Sequence, residues 1–134
     1  MMRKLWISRA YWPEVTEVPH FVVKLDYAGY PYVCDDIYFD SFDNILAELE
    51  GLQRDRRGRI LLDGGFRFKS VIEIDERGGL VIGFWVESGA EFPGKMRLEG
   101  TFNVDGEWTG QVLNQLIALF RDGEEFSLSE ENGA

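Results

Sequence analysis

The stretch Phe66-Arg67-Phe68-Lys69-Ser70-Val71-Ile72-Glu73-Ile74-Asp75, followed by Glu76-Arg77-Gly78-Gly79 and Leu80-Val81-Ile82-Gly83-Phe84-Trp85-Val86, decides the fold. Phe66, Phe68, Ile72 and Ile74 alternate with Arg67, Lys69, Glu73 and Asp75. A period of two puts the first set on one face of a strand and the second set in water. The four residues from Glu76 to Gly79 are turn formers, and Leu80, Ile82, Phe84 and Val86 then restart the alternation, so a second strand returns antiparallel to the first. After a link containing Gly89, Pro93 and Gly94, a third strand sets Met96, Leu98, Phe102 and Val104 inward and Arg97, Glu99, Thr101 and Asn103 outward. The result is an antiparallel meander with one apolar face, which needs a cover.

Working outward, two segments carry helical spacing instead. Phe42, Ile45, Leu46, Leu49 and Leu52 form one stripe, with Asp40 or Ser41 placed to cap the N-terminus. Trp108, Val112, Leu113, Leu116, Ile117 and Phe120 form another between Asp105 and Arg121, ended by Gly123 as C-cap. Earlier, Leu5–Ser8, His20–Tyr27 and Tyr32–Phe39 read as strands, with Ala28–Pro31 as a turn, and Arg59–Leu62 as a short strand. The expected fold class is α+β: a mainly antiparallel sheet with a C-terminal meander and two helices packed on one face. With 134 residues and 45% hydrophobic side chains, one domain over residues 1–121 suffices. Residues 122–134, which hold five carboxylates and no cation, are expected to be an acidic, flexible C-terminal tail.

Charge narrows the partners. The net charge of −10 opposes the positive footprint of nucleic-acid or anionic-membrane binders, so neither partner is expected. Much of the excess is local, because residues 14–50 contain nine carboxylates against the one cation Lys24. No apolar run is long enough to cross a bilayer, and the basic start Met1-Met2-Arg3-Lys4 leads into no secretory stretch, so a cytoplasmic location is expected.

The search for chemistry yields no catalytic set. His20 is the single histidine, and beside Phe21 at the start of a strand it reads as a structural or surface residue rather than a proton shuttle. Cys34 has no partner for a disulfide and reads as a small buried hydrophobe. No metal site is expected: Asp35, Asp36, Asp40 and Asp43 lack the ligand spacing of a calcium loop, and Asp40 and Asp43 suit a helix N-terminus. Gly64-Gly65 and Gly78-Gly79 match no phosphate or dinucleotide loop, and no cofactor is expected.

The segment from Tyr27 to Asp40 asks for more, since it holds four of the five tyrosines. Phenolic rings supply rigid contact area with a polar tip, and uncompensated carboxylates attract cations, a combination suited to a basic protein surface. Tyr30, Tyr32, Asp35, Asp36 and Tyr38 are therefore the candidate partner-binding residues. The competing reading is a hairpin whose tyrosines cover the core. A secondary patch comes from the meander, where Lys69 opposes Trp85 and the next strand brings Arg97 alongside. The basic run Arg54–Arg59 reads as a solvated helix end.

The order of elements, with an early strand pair, the helix Phe42–Leu52, the meander Phe66–Val104 and a terminal helix bearing Leu113-Asn114-Gln115-Leu116, resembles small acidic bacterial immunity proteins of contact-dependent and polymorphic toxin systems, and related uncharacterised bacterial families. The resemblance implies a non-enzymatic inhibitor that occludes a cognate toxin, and it carries no functional residue over. Two other classes stay open: a small-molecule-binding domain or enzyme, with a pocket between the sheet and the tyrosine-rich hairpin, and an oligomeric structural protein self-associating through Trp6, Tyr11 and Trp12.

Overall fold

The computed structural model describes residues 3–10, 19–88 and 96–129. Among these residues eight strands and two helices run in the order β1 (Lys4–Ala10), β2 (His20–Tyr27), β3 (Tyr30–Ile37), α1 (Phe42–Asp55), β4 (Gly58–Asp63), β5 (Phe68–Ile74), β6 (Leu80–Ser88), β7 (Met96–Val104), α2 (Gly106–Asp122) and β8 (Phe126–Ser129). All strand pairs are antiparallel, so the fold is α+β, and the strands divide between two four-stranded sheets ordered β3-β2-β1-β8 and β4-β5-β6-β7. The expected meander is the second sheet, extended by β4. Its central hairpin has the expected register, Phe68 opposite Val86 and Ile74 opposite Leu80.

Turn chemistry explains where the boundaries differ from expectation. The first hairpin turns on Ala28 (φ 55°) and Gly29 (φ 86°) alone. Two consecutive positive φ angles make a tight turn whose twist matches the strands, so β3 resumes at Tyr30 rather than Tyr32. β5 starts at Phe68, not Phe66, because Gly65–Arg67 forms a 3-10 turn entered through the left-handed Gly65 (φ 81°). Ser41 is the N-cap of α1, but it is itself left-handed (φ 56°) and makes no side-chain capping bond, and neither does Asp105 at α2. Gly123 ends α2 as expected: it is left-handed, and its N–H and that of Glu124 reach Leu119 O and Ala118 O.

One expectation is overturned for part of the C-terminus. Residues 122–129 are not a tail: Phe126–Ser129 is a strand paired to β1, Phe126 and Leu128 are buried opposite Ile7 and Leu5, and Ser129 is buried too. Two apolar residues separated by one serine are too short a pattern to rise above the surrounding acids, and the pairing to the opposite end of the chain has no local signature. Residues 130–134 lie outside the described residues. Trp108 also departs from its expected place, being exposed immediately before Thr109, the first buried residue of α2.

The buried residues of both sheets and both helices form one hydrophobic cluster. The helices pack on one another, α1 also against β4 and α2 against β1 and β8. An aromatic knot joins the layers: Phe21 of β2 lies 5.0 Å from Phe39, 5.3 Å from Phe120 and 6.0 Å from Phe42, while Phe39 lies 6.2 Å from Phe68. Such tilted and edge-on rings interlock elements from four directions. Two further ties fix the sheets' relation, Tyr27 edge-on to Phe84 at 5.1 Å and Asp40 N–H to Asp63 O at 2.8 Å. Among the described residues no helix is long and apolar enough to cross a membrane.

Candidate functional site

The tyrosine- and aspartate-rich segment becomes β3, an edge strand of the first sheet. Its sequence forces an irregularity. Cys34 and Ile37 are both buried, yet they are three residues apart, and in a regular strand odd spacing sends side chains to opposite faces. The register resolves the conflict: Val23 pairs with Cys34 and Phe21 with Ile37, so Val22 alone on β2 faces Asp35 and Asp36 together on β3. This is a β-bulge, and the extra residue lets both carboxylates point to solvent while both apolar neighbours stay inside.

Around the bulge the candidate residues take distinct roles. Tyr30 is 57% exposed at the hairpin tip, Val33 63% and Tyr38 39%, three of the five large exposed hydrophobic side chains among the described residues. Tyr38 stacks on His20, 5.1 Å between centroids and 21° between planes, and His20 Nδ1 lies 3.4 Å from Asp36 Oδ1. The single histidine is thus a shelf for Tyr38 beside an exposed carboxylate. Tyr32 stands apart, since its hydroxyl donates to Arg67 O at 2.6 Å and ties β3 to the 3-10 turn. Burial pushes the Tyr32 phenol well above its ordinary value, Cys34 adds to the shift and Arg67 opposes it. Arg67 also places Nη1 3.8 Å from the buried Cys34 sulfur. From Tyr30 to Tyr38 the residues are strung along eight steps of extended chain, roughly 25 Å, rather than gathered in one compact patch.

At the far end of this line lies an open cleft of about 1170 Å³, where the ends of both sheets meet the start of α1. Asp36, Asp40, Asp43 and Asp63 line it together with Arg9, Arg67, Tyr38 and Phe42. Arg9 reaches across one wall, Nη1 3.5 Å from Phe120 O and its guanidinium 5.8 Å from the Phe42 ring centroid. Gly64 at the base approaches closely enough that a β-carbon would sit 2.7 Å from Ile37 Cγ2 and Phe68 O. Among the described residues no three His, Cys, Asp or Glu side chains converge as a metal site. Sequence reasoning missed Arg9, Asp63 and Arg67 because only the long-range contact of two sheets brings them to Asp36 and Tyr38.

The secondary patch lies elsewhere, on the outer face of the second sheet. Lys69 is opposite Trp85, with Nζ 5.9 Å from the indole, and also 3.9 Å from the Asp63 carboxylate. Trp85 faces Glu99 on β7 rather than Arg97, which sits one step diagonal, opposite Glu87, and is bound to Glu99 at 2.7 Å. Each cation there already faces a carboxylate, so the patch has no net positive field for an anion. Trp6 is half-buried on β1 with Lys4 Nζ 5.6 Å from its ring, whereas Tyr11 and Trp12 lie outside the described residues.

Comparison with known proteins finds no family model, no curated protein and no solved structure that matches this chain.

Proposed function

We propose that this protein is a non-enzymatic binding module that docks a basic protein surface along β3, and that it acts as an inhibitor of a cognate bacterial toxin. The observation that carries the reading is the bulge: it turns Asp35 and Asp36 outward between the exposed Tyr30, Val33 and Tyr38, on a strand that among the described residues pairs with another strand on one side alone. A net charge of −10 adds long-range attraction to a basic partner. The inhibitor role comes from the resemblance in element order and from that charge, since a nuclease toxin would present a basic groove.

Its test is the affinity for the product of the adjacent gene in the source genome. Replacing Asp35→Lys and Asp36→Lys together slows association by about tenfold or more at low ionic strength, and added salt shrinks the difference. Unchanged association kinetics would remove this surface from the reading.

The cleft supports a second reading, a small-molecule site. A ligand seated there raises the melting temperature with its concentration. Asp35→Lys, which does not line the cleft, leaves that rise unchanged while weakening protein docking.

A further inference from the structure

We infer that the partner is held by strand addition: an extended basic segment of another protein pairs with the outer edge of β3 and continues the sheet β3-β2-β1-β8. The inference rests on the docking role proposed above and names how that docking is made.

An edge strand presents a row of backbone N–H and C=O groups with no strand to receive them, and among the described residues β3 is such an edge, eight residues long. β8, at the other edge of the sheet, offers four, and β4 is flanked by α1. The nine-residue edge β7 is longer than β3, but it carries none of the exposed large hydrophobic side chains found among the described residues, and its carboxylate Glu99 is bound to Arg97. β3 is also where exposed apolar side chains collect, with Tyr30 and Val33 on opposite faces of the strand. Both faces of an added strand would therefore meet a large side chain, Tyr30 or Val33, as strand-addition partners do through alternate residues. The roughly 25 Å line of candidate residues suits a linear ligand better than a convex patch.

Charge selects the occupant. Residues 20–40 carry four carboxylates, Asp26, Asp35, Asp36 and Asp40, against Lys24. A second copy pairing antiparallel along the same edge would bring both bulges, and four carboxylates, onto one seam, with Pro31 of each copy withholding a donor. Like charges across a seam repel, whereas lysines or arginines alternating with β-branched residues meet carboxylates at the bulge and Tyr30 or Val33 beyond it. The bulge and Pro31 thus guard the edge against self-pairing and leave it open to a segment of opposite sign.

The test uses the full chain and an eight-residue peptide of alternating arginine and valine, with amide NMR as readout. A second peptide, N-methylated at every residue, keeps the charges and side chains but has no backbone N–H to donate. Strand addition predicts that the first peptide shifts the β3 amides and that methylation weakens binding by roughly tenfold or more. Replacing Asp35→Asn and Asp36→Asn weakens the unmethylated peptide as well. Equal binding of the two peptides would overturn strand addition while leaving charge-guided docking intact. Binding of neither peptide, or shifts confined to other elements, would overturn it too, and the adjacent-gene product then decides the docking role independently.

Discussion

Phe126→Ala separates a folded C-terminus from a tail. The Phe126 side chain is fully buried opposite Ile7, on a strand that among the described residues pairs with β1 alone and packs against α2. Truncating such a phenylalanine removes its transfer energy and leaves a cavity, a loss of about 3–5 kcal/mol. Unfolding entropy for a chain of this size is about 0.28 kcal/mol per degree, so the melting temperature falls by roughly 11–18 °C. In urea the midpoint moves down with an unchanged slope, because the surface exposed on global unfolding is nearly the same. Calorimetry and urea titration of wild type and variant make the measurement. A loss below about 1 kcal/mol, the range of surface substitutions, would refute the packing of β8 and return residues 122–129 to a solvated tail.

Other outcomes follow from single contacts. Gly100→Ala places a β-carbon 2.5 Å from Tyr27 Cζ and 2.6 Å from Phe84 Cζ, so two rings must move and urea titration records a loss of about 1–3 kcal/mol. Gly83→Ala, whose nearest neighbour is at 4.0 Å, costs nothing comparable. The raised Tyr32 phenol makes the folded state hold its proton where the unfolded chain has lost it. Stability is therefore complete below the ordinary phenol value of about 10 and declines as pH rises through and beyond it. In Tyr32→Phe the alkaline decline is shallower, read from urea midpoints between neutral and high pH, although the hydrogen bond to Arg67 O is lost. Trp85→Ala leaves partner affinity unchanged in a binding titration, because its patch is self-paired and on the other sheet.

Local patterns carried much of the architecture. Alternation over Phe68–Ile74 and Leu80–Val86 is repeated in every residue of the hairpin register, and the stripes Ile45–Leu49–Leu52 and Val112–Leu113–Leu116 are the buried faces of the helices. What escaped is non-local. The division into two sheets depends on ring packing such as Tyr27 on Phe84, and β8 depends on a partner more than a hundred residues away. The bulge was in principle legible, since Cys34 and Ile37 cannot share a face without it. Its effect on the candidate site is specific: Asp35 and Asp36 point to water, Tyr30 and Tyr38 remain open, and Tyr32 is taken up by Arg67. The cleft had no signal in the sequence, because its walls come from β1, the end of β3, α1 and the turn after β4.

The most direct test of the docking face is amide hydrogen exchange of the chain alone and in complex with the adjacent gene's product. Slowed exchange concentrated on the amides of Tyr30 to Ile37, with β4 to β7 unchanged, is the predicted footprint. Protection centred on the outer face of the second sheet or on the helices, with β3 exchanging as in the free protein, would contradict it.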